Sequence, residues 1–362
     1  MTRPSIRLAA PAHRHDRLRE PAPGTAPVHV PAPGLMASSA QAASSAHAPD
    51  VVRQRGMAVI AALLVVAAAA AIAAAMVDRQ AVQARVMRGE QARVQARWLL
   101  LGGVDWARAI LRADGRRSGT TRGDQAWATP IVDLRISQDG DSDAARFSGR
   151  IEDEQGKFNL QNLARGGLPD PVQVAAFGRL LQALGLPAGA APAVAQRMAD
   201  SQARPASGAG TPGAAAAPGV PGTATAPGLR SVADLRGLAG LDAAAVQRLA
   251  CCATVLPLRT PVNVNTAPPE VLHAAVTGLS LAQAAAMAGE RDRGRYFNDG
   301  ADFVNRTGDP ELRPPTDALA ADSSWFGLSG VVRRDGAMVV LQALLRRDDQ
   351  QDTRLVWIGE PN

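Results

Sequence analysis

The sequence predicts an α+β protein: a long N-terminal helix, half transmembrane and half amphipathic, packed on an antiparallel sheet that a large, mostly helical insertion interrupts. Three observations predict it. An uncharged apolar run, Met57–Val77, leads straight into a proline-free stretch with helical spacing. Strand-like segments follow at Trp127–Ile136 and Ala145–Ile151 and return only at Trp325–Arg333, Ala337–Arg346 and Thr353–Ile358. Between the two groups the pattern is helical, and helices inside a divided run of strands read as an insertion.

The apolar run comes first. At about 1.5 Å per residue it extends roughly 30 Å, enough to cross a bilayer. Arg53-Gln54-Arg55-Gly56 precedes it and Asp78-Arg79 follows it. A secretory signal would be shorter and would end at a small-residue cleavage site. Here residues 78–113 continue as helix, with Val82, Val86, Gly89, Arg93 and Ala96, then Val104, Ala107 and Leu111, at three- and four-residue steps. Gly89, Gly102 and Gly103 are weak points in that helix.

Residues 1–56 read as a disordered leader, rich in Pro, Ala, Ser and His, with Met36 an alternative start. They hold seven arginines against Asp16, Glu20 and Asp50; after Gly56 the chain has 32 basic and 30 acidic residues. The excess positive charge therefore lies ahead of the apolar run, on the side the positive-inside rule keeps in the cytosol. Lys157 is the only lysine, which together with abundant alanine reads as coding bias rather than function.

The organisation expected is leader 1–56, membrane half 57–77, amphipathic half 78–113, strands 114–164, helical insertion 165–315 and returning strands 316–362. Within the insertion, 171–200 reads as two helices about Leu184-Gly185-Leu186-Pro187, and Ser231–Leu249 as helical. Residues 201–228 are low-complexity and expected to be a disordered loop. Thr266 is a candidate N-cap with Pro268 in the first turn, and Leu281–Arg293 a further helix.

Catalytic chemistry finds no support. Four of the five histidines (His13, His15, His29 and His47) lie in the leader and only His273 outside it. No nucleophile elbow, P-loop or dinucleotide fingerprint occurs. Glu152, Asp153 and Glu154 sit at a strand end before Gln155-Gly156, where a turn wants polar residues. Asp139, Asp141 and Asp143 resemble the start of an EF-hand loop, but Ala144 stands where glycine is needed and Arg150 at the last acidic position, so they read as a solvated turn. Cys251 and Cys252 are adjacent, either two small apolar residues in a helix or a vicinal disulfide in an oxidising compartment.

The segments Ile151–Leu163 (IEDEQGKFNLQNL), Leu229–Leu241 (LRSVADLRGLAGL) and Val262–Leu272 (VNVNTAPPEVL), in that order after RQRGM and an apolar helix, make the chain resemble the general secretion pathway protein K family, the large minor pseudopilin of type II secretion. The likeness runs from about Arg53 to the C-terminus, leaving the first 50 residues and 201–228 uncovered. It implies a pilin-like sheet and a role at the pseudopilus tip, initiating filament assembly for protein export. It implies cleavage by prepilin peptidase at Arg55-Gly56-Met57, with N-methylation of Met57, and an inner-membrane protein with its globular part in the periplasm. The missing Cβ of Gly56 lets a peptidase approach the backbone. Pilins usually carry glutamate at the fifth mature position; here it is Ala61, an absence the K family shares. Such a carboxylate in lipid needs a partner, and a subunit that enters first has no earlier neighbour to supply one. Implied partners are the I and J minor pseudopilins and other pseudopilins, the peptidase, and the secretin channel or cargo. No cofactor is expected. Calcium, bound by some members in the insertion, is left open, because the family's acidic segment is here Met198-Ala199-Asp200-Ser201-Gln202 followed by low complexity.

Asn263–Leu272, with Thr277-Gly278-Leu279-Ser280 and Arg291-Asp292-Arg293-Gly294, also resembles helix-hairpin-helix modules of competence proteins. A membrane-tethered DNA-binding protein is therefore the alternative. One hairpin glycine and a near-neutral charge after Gly56 argue against nucleic acid.

Overall fold

A computed structural model describes residues 51–136, 144–203, 224–312, 314–315 and 317–360. The leader up to residue 50, the Asp139–Asp143 turn and residues 204–223 of the low-complexity loop lie outside the described residues. By its contacts the chain divides into Met1–Ile72 and Ala73–Asn362.

Helix α1 runs Val51–Gly115, so the last residues of the expected leader are helical. In the first unit its residues from Met57 on are apolar and exposed along every face. Such a surface suits lipid rather than water.

In the second unit, strands β1 (Ile131–Ile136), β2 (Ala145–Asp153), β3 (Trp325–Arg334), β4 (Ala337–Arg347) and β5 (Thr353–Gly359) form one sheet in sequence order, antiparallel throughout. The central pair sets Phe147 opposite Val332 and Asp153 opposite Phe326. The chain leaves this sheet at Asp153 and re-enters it at Trp325.

Helix α1 covers one face of the sheet with Ala96, Leu100, Val104, Ala107 and Leu111, against Phe147, Ile151, Phe326, Leu328, Val332, Ala343 and Leu345. Those helix positions step by three and four, one stripe of a 3.6-residue repeat. The buried stripe begins at Ala92, whereas Val82, Val86 and Arg93, expected to belong to it, are exposed. Gly103 is a close approach rather than a weak point: a Cβ there would stand 3.0 Å from the Phe147 ring. Trp127, expected in a strand, occupies a 3-10 turn (Ala126–Ala128). Pro130 has no N–H to give a ladder, and the Trp127 ring packs edge-on against Phe326 at 5.4 Å.

The helical block carries its own core, in which Phe158 meets Phe177 and Phe297 meets Phe303. Helix α2 (Pro171–Ala183) starts on an Asp170 cap with Pro171 in the first turn and stops before Gly185 at φ +64°. Helix α3 (Ala191–Asp200) follows. The stretch expected as continuous helix at Ser231–Leu249 is a 3-10 turn (Val232–Leu235) and then α4 (Ala243–Leu249), because Gly237 and Gly240 take positive φ between them. Helices α5 (Pro269–Ala275) and α6 (Leu281–Asp292) match the expected pair; α7 (Gly300–Arg306), capped by Asp299, was too short for a periodicity signal.

Truncating Leu100 to alanine is expected to lower unfolding stability by about 2–5 kcal/mol, and truncating exposed Val94 by less than about 0.5 kcal/mol. Denaturant titration of the detergent-solubilised chain measures both.

Candidate functional site

The two most distinctive sequence segments meet where the helical block joins the sheet. Asp153, the last residue of β2, is buried there. Its Oδ2 accepts from Asn263 Nδ2 at 2.8 Å, Thr266 Oγ1 at 2.6 Å and Ser323 Oγ at 2.7 Å; its Oδ1 accepts from the Gln155 amide at 2.9 Å. Asn263 and Thr266 come from the VNVNTAP segment, and Ser323 lies just before β3. One carboxylate thus ties the exit from the sheet to the return into it and to the module. Asp153 is no solvated turn residue, and Thr266 spends its hydroxyl on Asp153 rather than capping α5, whose N-cap is Pro268.

Hydrogen bonds of Arg347 carry the seam to the end of α1. Arg347 on β4 is buried; its Nη2 donates to Thr121 Oγ1 at 2.8 Å and to the Ser323 carbonyl at 2.9 Å. Its Nη1 reaches the Leu111 carbonyl at 3.3 Å and Asp114 Oδ2 at 3.4 Å. The Thr121 carbonyl accepts from Asn263 at 3.0 Å. Gly156 sits where a Cβ would be 2.7 Å from Thr266 Oγ1, so only glycine lets these strands of chain approach.

Three asparagines of the two segments, Asn159, Asn162 and Asn265, are braces. Asn159 donates to the Leu258 carbonyl at 2.7 Å and accepts from the Leu256 amide at 3.2 Å; Asn162 bonds the Thr260 carbonyl at 2.8 Å and its amide at 3.1 Å. Asn265 bonds the Phe297 carbonyl and amide at 2.8 and 2.9 Å. A primary amide offers both donor and acceptor, so one Asn satisfies a loop's N–H and C=O together. Lys157 holds Glu152 at 3.0 Å and Glu154 at 2.9 Å.

Burial pushes the Asp153 carboxyl above its ordinary range, and the donors from Thr266, Ser323, Asn263 and Gln155 pull it part of the way back. Burial likewise raises Asp114, against the pull of Arg347. Burial and the Cys251 thiol beside it push Cys252 up; both cysteines are free, Cys251 exposed and Cys252 buried.

This arrangement holds parts together; it presents no reacting pair. Among the described residues no three or more His, Cys, Asp or Glu side chains gather as metal ligands. The helix-hairpin-helix elements α5 and α6 are structural too. Gly278, at φ +91°, abuts Leu312, and the Arg291 guanidinium is buried on the Val264 and Ala267 carbonyls at 3.2 and 2.6 Å. It is not presented to a phosphate. Of the expected processing residues, Arg55, Gly56, Met57 and Ala61 all lie within α1, Met57 and Ala61 exposed; the seam is elsewhere in the chain.

A long helix with a membrane-length apolar end, packed on an antiparallel sheet that a helical block interrupts, defines a pilin-like anchored subunit. Profiles of type II secretion system protein K match residues 156–258 and 262–323. Protein K of Pseudomonas aeruginosa is 30% identical over 82% of this chain and 90% of its own length. Protein K of Klebsiella pneumoniae is 33% identical over 60% of this chain and 68% of its own. The fold is similar to a chain in the crystal structure of the GspK-GspI-GspJ complex of the enterotoxigenic Escherichia coli type 2 secretion system. That match has a TM-score of 0.57 and 20% identity, covering 76% of this chain and 99% of that one. The chain belongs to the type II secretion system protein K family, the minor pseudopilins. The matches give the DNA-binding alternative no support.

Replacing Asp153 with alanine leaves three side-chain donors without their acceptor and is expected to cost about 2–4 kcal/mol of stability. The raised carboxyl also sets a pH dependence. From about pH 4, the unfolded carboxylate range, up to the folded value, the native state holds the extra proton. Stability therefore falls as pH rises through that window and then levels. Denaturation at a series of pH values should show this slope in the parent chain and a shallower one in Asp153→Asn, where only Asp114 among the raised carboxyls remains.

Proposed function

We propose that this chain is the tip subunit of a type II secretion pseudopilus, where it initiates filament assembly for protein export across the outer membrane. The observation that carries the reading is the division of α1: an apolar length exposed on every face, then a stripe buried under a sheet bearing a bulky helical block. A filament subunit needs a helix that first sits in lipid and later packs among other helices. A helical block of this size suits the end of a filament, where no next subunit must be accommodated.

On this reading Met57–Val77 crosses the inner membrane once, with the arginine-rich leader in the cytosol and the globular part in the periplasm. Prepilin peptidase cuts between Gly56 and Met57, and Met57 is then methylated. Ala61 removes the carboxylate an interior subunit would need to pair with a neighbour. The partners are the I and J minor pseudopilins, with which a similar fold was crystallised. The role is mechanical and requires neither catalysis nor a cofactor.

Co-expression with a prepilin peptidase is expected to give a mature N-terminus at a methylated Met57, read by intact mass and terminal-peptide analysis, and Gly56→Leu is expected to abolish it. A terminus after a small-residue site near residue 75, or an uncut chain, would overturn the reading.

A further inference from the structure

Arg259 of the helical block keeps a hydrogen-bond donor that the seam does not use. Its Nη2 pairs with Asp170 Oδ2 at 3.1 Å, while its Nη1 is buried and meets no acceptor among the described residues. A guanidinium N–H held away from water is costly until an acceptor reaches it.

Arg259 lines a pocket of about 180 Å³. At about 30 Å³ of liquid volume per water, that is room for about six waters or one small organic molecule. Thr260 lines it too; its hydroxyl oxygen accepts from Asn159 Nδ2 at 3.0 Å, which leaves its own proton to donate. Gln173 of α2 adds a side-chain amide, and Phe158, Val262 and Ala275 add an apolar wall. A few polar groups beside an apolar wall are what a small-molecule site is made of.

Charge narrows the ligand. The spare donor belongs to a cation, so an anion is its strongest acceptor. That anion must be weakly charged, because Asp170 already holds one side of the guanidinium and the exposed Asp317 lines the same pocket. A phosphate dianion would face both carboxylates, whereas a monocarboxylate carries half its charge. The planar guanidinium also matches carboxylate geometry.

We propose that this pocket binds a monocarboxylate bearing a small apolar group, the carboxylate on Arg259 and Thr260 and the apolar group against Phe158, Val262 and Ala275. Two sources share that chemistry: a free short-chain acid and the C-terminal residue of a polypeptide. The assignment stands apart from the tip-subunit reading.

Ligand-detected NMR titration of the detergent-solubilised full chain tests it, with N-acetylleucine, N-acetylleucine amide and isovalerate as probes. Saturable binding of a carboxylate probe, and none of the amide, is expected. Arg259→Gln is expected to raise the dissociation constant at least about tenfold. Ala275→Leu narrows the pocket, leaves every polar group in place and is expected to do the same. Asp170→Asn keeps a cap for α2 but removes the competing charge, and binding is expected to tighten about threefold. An arginine with only a structural role would not give that gain. N-acetylleucine binding more tightly than isovalerate assigns the site to chain termini, and the reverse order or equality assigns it to free acids. The proposal is overturned if neither carboxylate saturates, if the amide binds as tightly as the acid, or if Arg259→Gln and Ala275→Leu both bind like the parent. Should Arg259→Gln fail to fold, the other two variants decide, and parent-like binding in both overturns the proposal.

Discussion

The structure turns on one buried carboxylate. Asp153 stands where the chain leaves the sheet, and its acceptors are filled from the module by Asn263 and Thr266 and from the returning chain by Ser323. A carboxylate taken out of water is costly unless hydrogen-bonded. Four donors offset that cost only when sheet, module and return segment are all in place. The node therefore specifies an arrangement more than it adds stability. Arg347 extends the constraint to Leu111 and Asp114 at the end of α1, so the helix end, the sheet and the module share one polar seam.

Around that seam the packing separates into two cores. Under α1 the helix side of the contact is largely alanine, valine and leucine, and the sheet brings glycines as well as Phe147 to meet it. Gly149 and Gly330 face the same contact as Gly103, where a Cβ would stand 2.9 Å from Phe147 and 3.0 Å from Leu100 respectively. Small residues on both sides let the long helix lie close to the strands. The module has a separate core built around Phe158, Phe177, Phe297 and Phe303. The six phenylalanines, few in an aromatic-poor chain, are all buried in one core or the other. Three tryptophans, Trp98, Trp106 and Trp357, remain exposed on α1 and β5. Tryptophan enriched on an otherwise polar surface marks contact with other proteins.

Much of the architecture was legible because its signals are strong and local. The uncharged run, the partial alternation in β2, and the Gly185 and Pro187 break after α2 each carry their meaning within a few residues. The buried stripe was only half legible: Val82 and Val86 have the spacing of the stripe but precede the first residue that the sheet reaches. The module's short helices were blurred for a different reason, since Gly237 and Gly240 break a pattern that composition made look continuous. The site itself was legible as words but not as contacts. IEDEQG and VNVNTAP stood out, yet nothing in either shows that Asp153 is buried, that Thr266 turns to it, or that Ser323 joins them from 170 positions away. A polar residue beside a turn looks solvated until the partner segment is known.

Hydrogen exchange of the solubilised parent chain shows whether the polar seam locks the module to the sheet. If it does, the amides of Gln155, Asn265 and Ser323 are protected as strongly as those at the centre of β3, because opening any one of them breaks the shared network. Seam amides exchanging orders of magnitude faster than β3, with the module's own helices still protected, would show a module hinged on the sheet and would contradict it.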